Sequence, residues 1–270
     1  MGEVATKGSI SVEGKVPVHF LVPSSTVDIA LFNLNDWEGV SRQIIFSCSA
    51  QAGLIRFSQD AIRTICGNLV QHCAGHTQTI AHQWKQSPWN LEKTYPIAEL
   101  PVLHLHVQGF FSAIKTHLDL LAKLLSSEGI VNSVVHGFHK DKKKVGGAVL
   151  NMLRNNALKE KRVVAKIIDD LIVTETKEWI EDAVLIRDGL FLHPLDGIPQ
   201  LMVRIDIMRT DKGLTVEYKA PEITKPEEIE RFANGVVRFT KKFLDLIKKD
   251  SGIGSTDTQR AQILELTGES

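Results

Sequence analysis

Two long stretches of the chain carry apolar residues at the spacing of one helix face, and they constrain the fold more than any other feature. The first covers residues 102–126, and the second begins near residue 226. Apolar residues that recur every three or four positions lie on one side of an α-helix, which gains stability when that side is buried. The two stripes consist of Val107, Phe111, Ile114, Leu118, Leu121 and Leu125, and of Ile229, Phe232, Val236, Phe239, Phe243 and Leu246. Both patterns predict long helices that pack into a common core.

Helical patterns also occupy much of the remaining chain. Residues 35–84 indicate two helices, the first capped by Asp36 and the second starting at Ser58. Another helix is expected over roughly residues 148–172, with a break near Asn155 and Asn156. Either Thr174 or Thr176 is expected to cap the helix that follows, because a hydroxyl oxygen can accept from the free amides of a first turn.

A β-hairpin is predicted between the last two helices. Residues 202–208 and 214–218 alternate in polarity around Asp211-Lys-Gly213, which is typical of two strands joined by a tight turn. Thr224 and Glu227 have the spacing of a capping box, with Pro226 in the first turn of the last helix.

These patterns together predict a mainly α fold, an antiparallel helical bundle with a small β-hairpin before the last helix. Residues 1–95 are expected to add strands and helices that pack on the bundle, including one or two short strands over residues 8–23. The bundle itself is expected over residues 96–250, and residues 251–270 are expected to form a flexible tail. Residues 86–101 contain three prolines, which favours a connector there.

Composition excludes several classes of protein. Apolar residues make up 43% of the 270 residues, which is too many for a disordered chain. The 32 basic and 32 acidic residues give no net charge, which argues against a general nucleic-acid coat protein. Three cysteines without paired metal spacing indicate reduced thiols and a cytoplasmic location. No secretory leader and no apolar run long enough for a membrane span are expected.

The residue types best suited to chemistry lie in one predicted helix. Arg187 and Asp188 precede His193, which Pro194 follows directly. Arginine can bind a phosphate, and histidine can transfer a proton near neutral pH. The alternative is structural: the arginine pairs with a neighbouring carboxylate, and the histidine caps the helix. Six residues place the two side chains about 120° apart on a regular helix, so they converge only if the helix loosens or a second subunit completes the site.

The motif of Arg187, Asp188, four further residues and His193, near the end of a bundle helix, resembles that of HEPN-domain proteins. The following hairpin and closing helix also fit, so the resemblance covers roughly residues 102–249. It implies a homodimer in which the motif helices of two chains face each other. It also implies RNA cleavage without a metal or other cofactor, in which the 2′-hydroxyl attacks its own phosphodiester. The histidine would act as general base or acid, the arginine would neutralise the phosphate, and Asp188 would orient the pair.

A basic segment precedes the motif helix. Residues 140–166 contain nine lysines and arginines against two acids. Lys142, Lys143 and Lys144 are therefore candidates for contact with nucleic-acid phosphates, although a solvated surface would give the same pattern. Gly146 and Gly147 precede a helix and could expose backbone amides to a phosphate.

Two other functions stay open. A bundle without catalytic activity could bind a protein partner or a nucleotide, with Arg187 and Asp188 as a structural ion pair. His72 and His76 have the i, i+4 spacing of helical metal ligands, which would suit a metal-dependent hydrolase. No membrane partner is expected.

Overall fold

A computed structural model describes residues 8–10, 18–20, 32–75, 93–96, 100–138, 144–191, 201–210 and 213–251. The described chain is mainly helical, with a small antiparallel sheet before the last helix, which confirms the predicted fold class. The helices are α1 (Gly39–Gly67), α2 (Pro101–Ser127), α3 (Gly147–Asn156), α4 (Arg162–Glu175), α5 (Glu181–Phe191) and α6 (Pro226–Ser251). The strands are β1 (Gly8–Ile10), β2 (Val18–Phe20), β3 (Lys93–Pro96), β4 (Arg204–Thr210) and β5 (Gly213–Lys219).

The two apolar stripes form the centre of the core, as predicted. Every residue of the α2 stripe is buried, and so is every residue of the α6 stripe except the partly buried Leu246. The rings of Phe111 and Phe232 pack edge to face with centroids 5.2 Å apart, which joins the two helices. Full burial of a side chain of this size contributes about 1.5–3 kcal/mol, so these stripes supply much of the folding free energy.

Helix α1 packs antiparallel to α2, and its length differs from the prediction. It is one unbroken helix of 29 residues, so the predicted second start at Ser58 was wrong. Ser58 is buried inside the helix because its side chain faces α2, where its hydroxyl would lie 3.2 Å from a Cβ on Gly109. Asp36 belongs to a preceding 3₁₀ turn, and the N-cap of α1 is Glu38.

The predicted break after α3 is confirmed, but the predicted cap after α4 was wrong. Helix α3 ends at Asn156, and a bridge between Val131 and Ala157 separates it from α4. Helix α4 then continues without interruption through a π-helical turn, Thr176–Ile180, into α5. Thr174 caps nothing, because its hydroxyl donates to the Asp170 carbonyl (2.9 Å) within the same helix.

The hairpin is confirmed and extended by one strand. In its register Ile205 lies opposite Tyr218. Strand β3 pairs with the other side of β4, so the connector predicted over residues 86–101 was wrong at residues 93–96. Pro96 is tolerated there because β3 is an edge strand, where a missing backbone N–H costs little.

The predicted capping box at the start of α6 was wrong, because the Thr224 hydroxyl has other partners. Pro226 is the first residue of the helix, as predicted. The buried Thr224 hydroxyl, however, donates to the Pro221 carbonyl (2.7 Å) and accepts from the Cys66 thiol (3.4 Å). Thr224 therefore stabilises the turn before α6 and fixes it to α1.

Gly235 allows α6 to approach the π turn closely. A Cβ at this position would lie 2.7 Å from the ring of Trp179, which is 1% exposed. We expect Gly235→Ala to lower the free energy of unfolding by about 1–2 kcal/mol, because overpacking outweighs the roughly 1 kcal/mol gain in helix propensity. Urea unfolding measures this change. Gly189→Ala, where a Cβ would meet nothing within 4 Å, is the control and should be neutral or stabilising.

Candidate functional site

The π turn that leads into α5 is fixed by a buried carboxylate. Glu175 is 1% exposed and accepts hydrogen bonds from Trp179 Nε1 (2.8 Å), Arg238 Nη2 (2.7 Å) and Lys242 Nζ (3.3 Å). Burial raises the pKa of Glu175, but the hydrogen bonds from these donors outweigh it and hold the pKa below its ordinary value. Because two donors come from α6 and one from the turn, Glu175 sets the direction in which α5 leaves the bundle.

A second contact holds the start of α5 against α6. Arg231 donates to the Asp182 carboxylate (3.0 Å) and to the Glu178 carbonyl (3.1 Å). Its guanidinium also lies 4.4 Å from the centroid of the Phe232 ring. These contacts fix the helix that presents the predicted catalytic residues.

Arg187 and Asp188 lie together on α5 as an ion pair. Arg187 Nη1 donates to Asp188 Oδ1 at 2.9 Å, and the two side chains are 30% and 18% exposed. The structure thus brings two of the three predicted site residues together at a partly accessible position. Arg187 Nε is buried and has no hydrogen-bond partner among the described residues. Because Nε is buried, only the terminal nitrogens of the guanidinium could reach a ligand.

His193 lies outside the described residues, two positions after the end of α5 at Phe191. Lys142 and Lys143 also lie outside the described residues, whereas Lys144 is described and exposed. The predicted site is therefore seen only at Arg187, Asp188 and Lys144.

The basic segment is partly neutralised by ion pairs. Arg154 forms a two-point pair with Asp169, with Nε–Oδ1 and Nη2–Oδ2 distances of 2.9 and 3.0 Å. Lys161 pairs with Asp250 at 2.7 Å, which joins the segment to the end of α6. Exposed cations of the segment include Lys144, Lys159, Arg162 and Lys166.

The two glycines before α3 are explained by packing. Gly146 is buried in the left-handed region at φ 70°, and a Cβ there would lie 3.2 Å from the Phe138 ring. Gly147 is buried as well. Close contact with Phe138 therefore accounts for Gly146 without a bound phosphate.

His117 is a polar core residue that the sequence reasoning missed. It is fully buried on α2, with Nδ1 3.2 Å from the Cys48 carbonyl and Nε2 2.7 Å from the Thr240 hydroxyl. It therefore joins α2 to both α1 and α6. Its position three residues after Ile114 and one before Leu118 could have revealed it, because that spacing puts it on the buried stripe.

The remaining candidates are the histidines at positions 72 and 76 and the cysteine thiols. The described part of the chain contains no group of three or more His, Cys, Asp or Glu side chains placed to hold a metal ion. His72 is described and exposed, while His76 lies outside the described residues. Burial raises the pKa of the Cys48 thiol to about 12, which suppresses its reactive thiolate form.

No described helix combines the length and apolar character that a membrane crossing requires. Comparison of the chain with family models, curated proteins and solved structures gives no match.

Proposed function

We propose that this protein is a HEPN-like, metal-independent endoribonuclease that acts as a homodimer. Arg187 and His193 are its catalytic residues and Asp188 supports them, as the resemblance of the motif implies. The observation that carries the proposal is the Arg187–Asp188 ion pair, which lies on α5 with the two side chains 30% and 18% exposed. The mainly helical fold with a sheet before the last helix also agrees with the proposal.

The proposed chemistry needs only groups that this chain supplies. The RNA 2′-hydroxyl attacks the adjacent phosphorus and loses its proton to His193. The bond from phosphorus to the 5′-oxygen of the next nucleotide breaks, this oxygen takes a proton from water, and His193 returns its proton to the hydroxide that results. The products are a 2′,3′-cyclic phosphate and a 5′-hydroxyl. Arg187 stabilises the charge that develops on the phosphate oxygens, and Asp188 holds the guanidinium in place. Lys142, Lys143 and Lys144 bind the RNA backbone.

Incubation of the purified protein with structured and unstructured RNA in excess chelator tests this proposal. We expect cleavage that leaves cyclic phosphate ends. Both Arg187→Ala and His193→Ala should lower the rate by at least about 100-fold, because charge stabilisation and proton transfer each contribute on that scale. His72→Ala is the matched control and should retain the full rate.

The proposal fails if wild type and His193→Ala give the same background cleavage, or if chelator abolishes the activity. A triple Lys142→Ala, Lys143→Ala, Lys144→Ala variant should weaken RNA binding and flatten its salt dependence. Unchanged binding by this variant would remove the three lysines from the proposed interface.

One observation favours a second candidate function, a bundle that binds a partner without catalysis. Arg187 already has an intramolecular partner in Asp188, as a structural ion pair would. In that case Asp188→Asn should lower thermal stability, while no variant changes RNA cleavage. The nuclease proposal instead predicts that Asp188→Asn lowers the cleavage rate.

A further inference from the structure

Helix α4 exposes apolar side chains on its outer side. Val163 is 76% exposed, the highest value for a large apolar residue in the described ranges, and Ile167 is 47% exposed. Leu171, four positions further on, is partly buried against the core. Positions four apart lie nearly in line on an α-helix. Val163, Ile167 and Leu171 therefore form one continuous row, which we call the α4 strip.

The α4 strip begins close to the end of α6. The next position in the same row is Glu175, whose carboxylate accepts from Arg238 of α6 at 2.7 Å. At the other end of α4, Lys161 Nζ lies 2.7 Å from Asp250 Oδ2. Helices α4 and α6 therefore run antiparallel, and α6 ends at Ser251 beside the first turn of α4.

The chain continues from this point with residues 252–270, which we call the tail segment and which lie outside the described residues. Its composition predicts a flexible tail, yet it contains a short apolar group, Ile263, Leu264 and Leu266. Ile263 lies 12 residues after Ser251, and a chain of this length spans up to roughly 40 Å. The α4 strip is only about 12 Å long, at about 1.5 Å per residue. The apolar group can therefore reach every part of the strip.

The α6 side of the strip is basic. Residues 241–249 contain four lysines and one acid, Asp245. Lys241 and Lys249 are exposed, and neither forms an ion pair with another described residue. Exposed charges on the α4 side balance, with two of each sign: Arg162, Lys166, Glu160 and Asp170. The tail segment has three acids and one base: Asp257, Glu265, Glu269 and Arg260. The tail segment is therefore attracted to the α6 side of the strip.

We propose that the tail segment folds back on the bundle and binds the α4 strip of its own chain. Its three apolar residues cover Val163 and Ile167, and Glu265 faces the lysines of α6. Burial of these apolar groups stabilises the contact, and the charges set the side on which the acids lie. The inference goes beyond the proposed nuclease, because it does not involve Arg187 or His193.

The small size of the strip favours a tethered segment over a separate partner. Three side chains offer far less than the roughly 800 Å² per partner that a stable interface between two proteins buries. A segment joined by a short linker is present at an effective concentration of about 1 mM, so a dissociation constant of about 0.1 mM would keep about nine-tenths of it bound. A weak contact that no separate protein could use therefore suffices for the tail segment.

Cleavage by trypsin after Arg260 tests the contact in the full chain. Arg260 is the single Lys or Arg of the tail segment, and mass spectrometry follows the loss of residues 261–270. Trypsin must bind the residues on both sides of Arg260 in an extended form, so it cleaves only the released segment. The full chain should therefore be cleaved about 10-fold more slowly than a synthetic peptide of residues 252–270.

Two variants test the two sides of the contact. Ile167→Glu should raise the cleavage rate at Arg260 to within about threefold of the peptide rate, because it places a charge under the apolar group. Leu266→Glu should do the same without altering α4, and a peptide with the same change gives its reference rate. The double variant should be cleaved no faster than either single variant, because both changes remove one contact. Circular dichroism verifies that each variant is folded.

Val102→Glu is the matched control. Val102 is 52% exposed on α2, at the far end of the bundle from the tail segment. It precedes Glu128, which accepts from the Ser251 hydroxyl, by 26 residues, or about 39 Å along the helix. This variant should therefore keep the protection of Arg260 seen in the wild type.

A full chain that is cleaved at Arg260 as fast as the peptide would overturn the inference. So would protection that persists in both Ile167→Glu and Leu266→Glu, because the segment would then bind elsewhere. Protection that rises with protein concentration would assign the segment to the strip of a second copy and reject binding within one chain. The trypsin measurements contain no RNA, so this inference and the nuclease proposal fail separately.

Discussion

Replacement of Phe239 by alanine should lower the free energy of unfolding by about 3–5 kcal/mol, the usual cost of removing a fully buried ring. The Phe239 ring is 0% exposed and lies at the junction of three parts of the fold. Its centroid is 6.2 Å from that of Phe138, 6.5 Å from that of Trp179 and 5.5 Å from that of Phe243. The cavity would therefore open between α6, the π turn and the loop that precedes α3.

Urea unfolding followed by tryptophan fluorescence measures this loss, and one of the fluorescent side chains, Trp179, lies beside the cavity. Phe239→Leu should cost less than half as much, because most of the volume is retained. Val237→Ala is the exposed neighbour on the same helix, at 44% exposure, and should change stability by no more than about 0.5 kcal/mol. A loss below 1 kcal/mol for Phe239→Ala would show that the ring is not a central support of the core.

Acid should destabilise the protein through His117, with a loss of about 3 kcal/mol between pH 6.5 and 4. Burial lowers the pKa of His117 from 6.5 to about 4, although its hydrogen bond to the Cys48 carbonyl acts in the opposite direction. Because a carbonyl only accepts, Nδ1 carries the proton. The neutral ring then faces the Thr240 hydroxyl with its acceptor Nε2, and that hydroxyl shares its one proton between Nε2 and the Val236 carbonyl, each 2.7 Å away. The unfolded chain binds a proton at pH 6.5 and the folded chain only at about pH 4. The contribution of neutral His117 to the free energy of unfolding is therefore fully present above pH 6.5. Between pH 6.5 and about pH 4 it is lost at about 1.4 kcal/mol per pH unit.

The comparison of wild type with His117→Gln isolates this residue from the other histidines. The glutamine amide can still donate to the Cys48 carbonyl but does not titrate. At pH 7.5 the wild type should be the more stable protein, and its advantage should shrink by about 3 kcal/mol as the pH approaches 4. Parallel stability profiles for the two proteins would show that His117 is not held neutral in the core.

The helical core was predictable because its signal is local. Residues such as Leu118 and Phe243 recur at a period that a helix alone explains, and the structure buries them as expected. The π turn was not predictable, because it depends on Glu175 meeting Arg238, which is 63 residues away in the chain. Helix propensity and capping rules consider only residues that are close in the sequence. They therefore predicted a helix start at Thr174 or Thr176, where the ion pair of Glu175 with Arg238 accompanies a continuous helix.

In the candidate site, too, contacts between neighbouring residues were predictable and contacts between distant elements were not. That Arg187 could pair with Asp188 followed from their adjacency, and the structure confirms the pair. The buried Arg187 Nε could not be foreseen, since burial of one atom depends on how α5 packs on the bundle. For the same reason, His117 was missed: one histidine among 10 becomes distinctive only when a hydroxyl from another helix lies opposite it.

The π turn also sets the rotational phase of everything that follows it in α5. Such a turn holds one residue more than a regular α-helical turn, so α5 is offset by about 100° from the course that α4 alone would have given it. Arg187 points in the direction that Ile186 would take if residues 176–180 formed a regular α-helix. The π turn, rather than the identity of the residue at position 187, therefore decides whether an arginine or an isoleucine points in this direction.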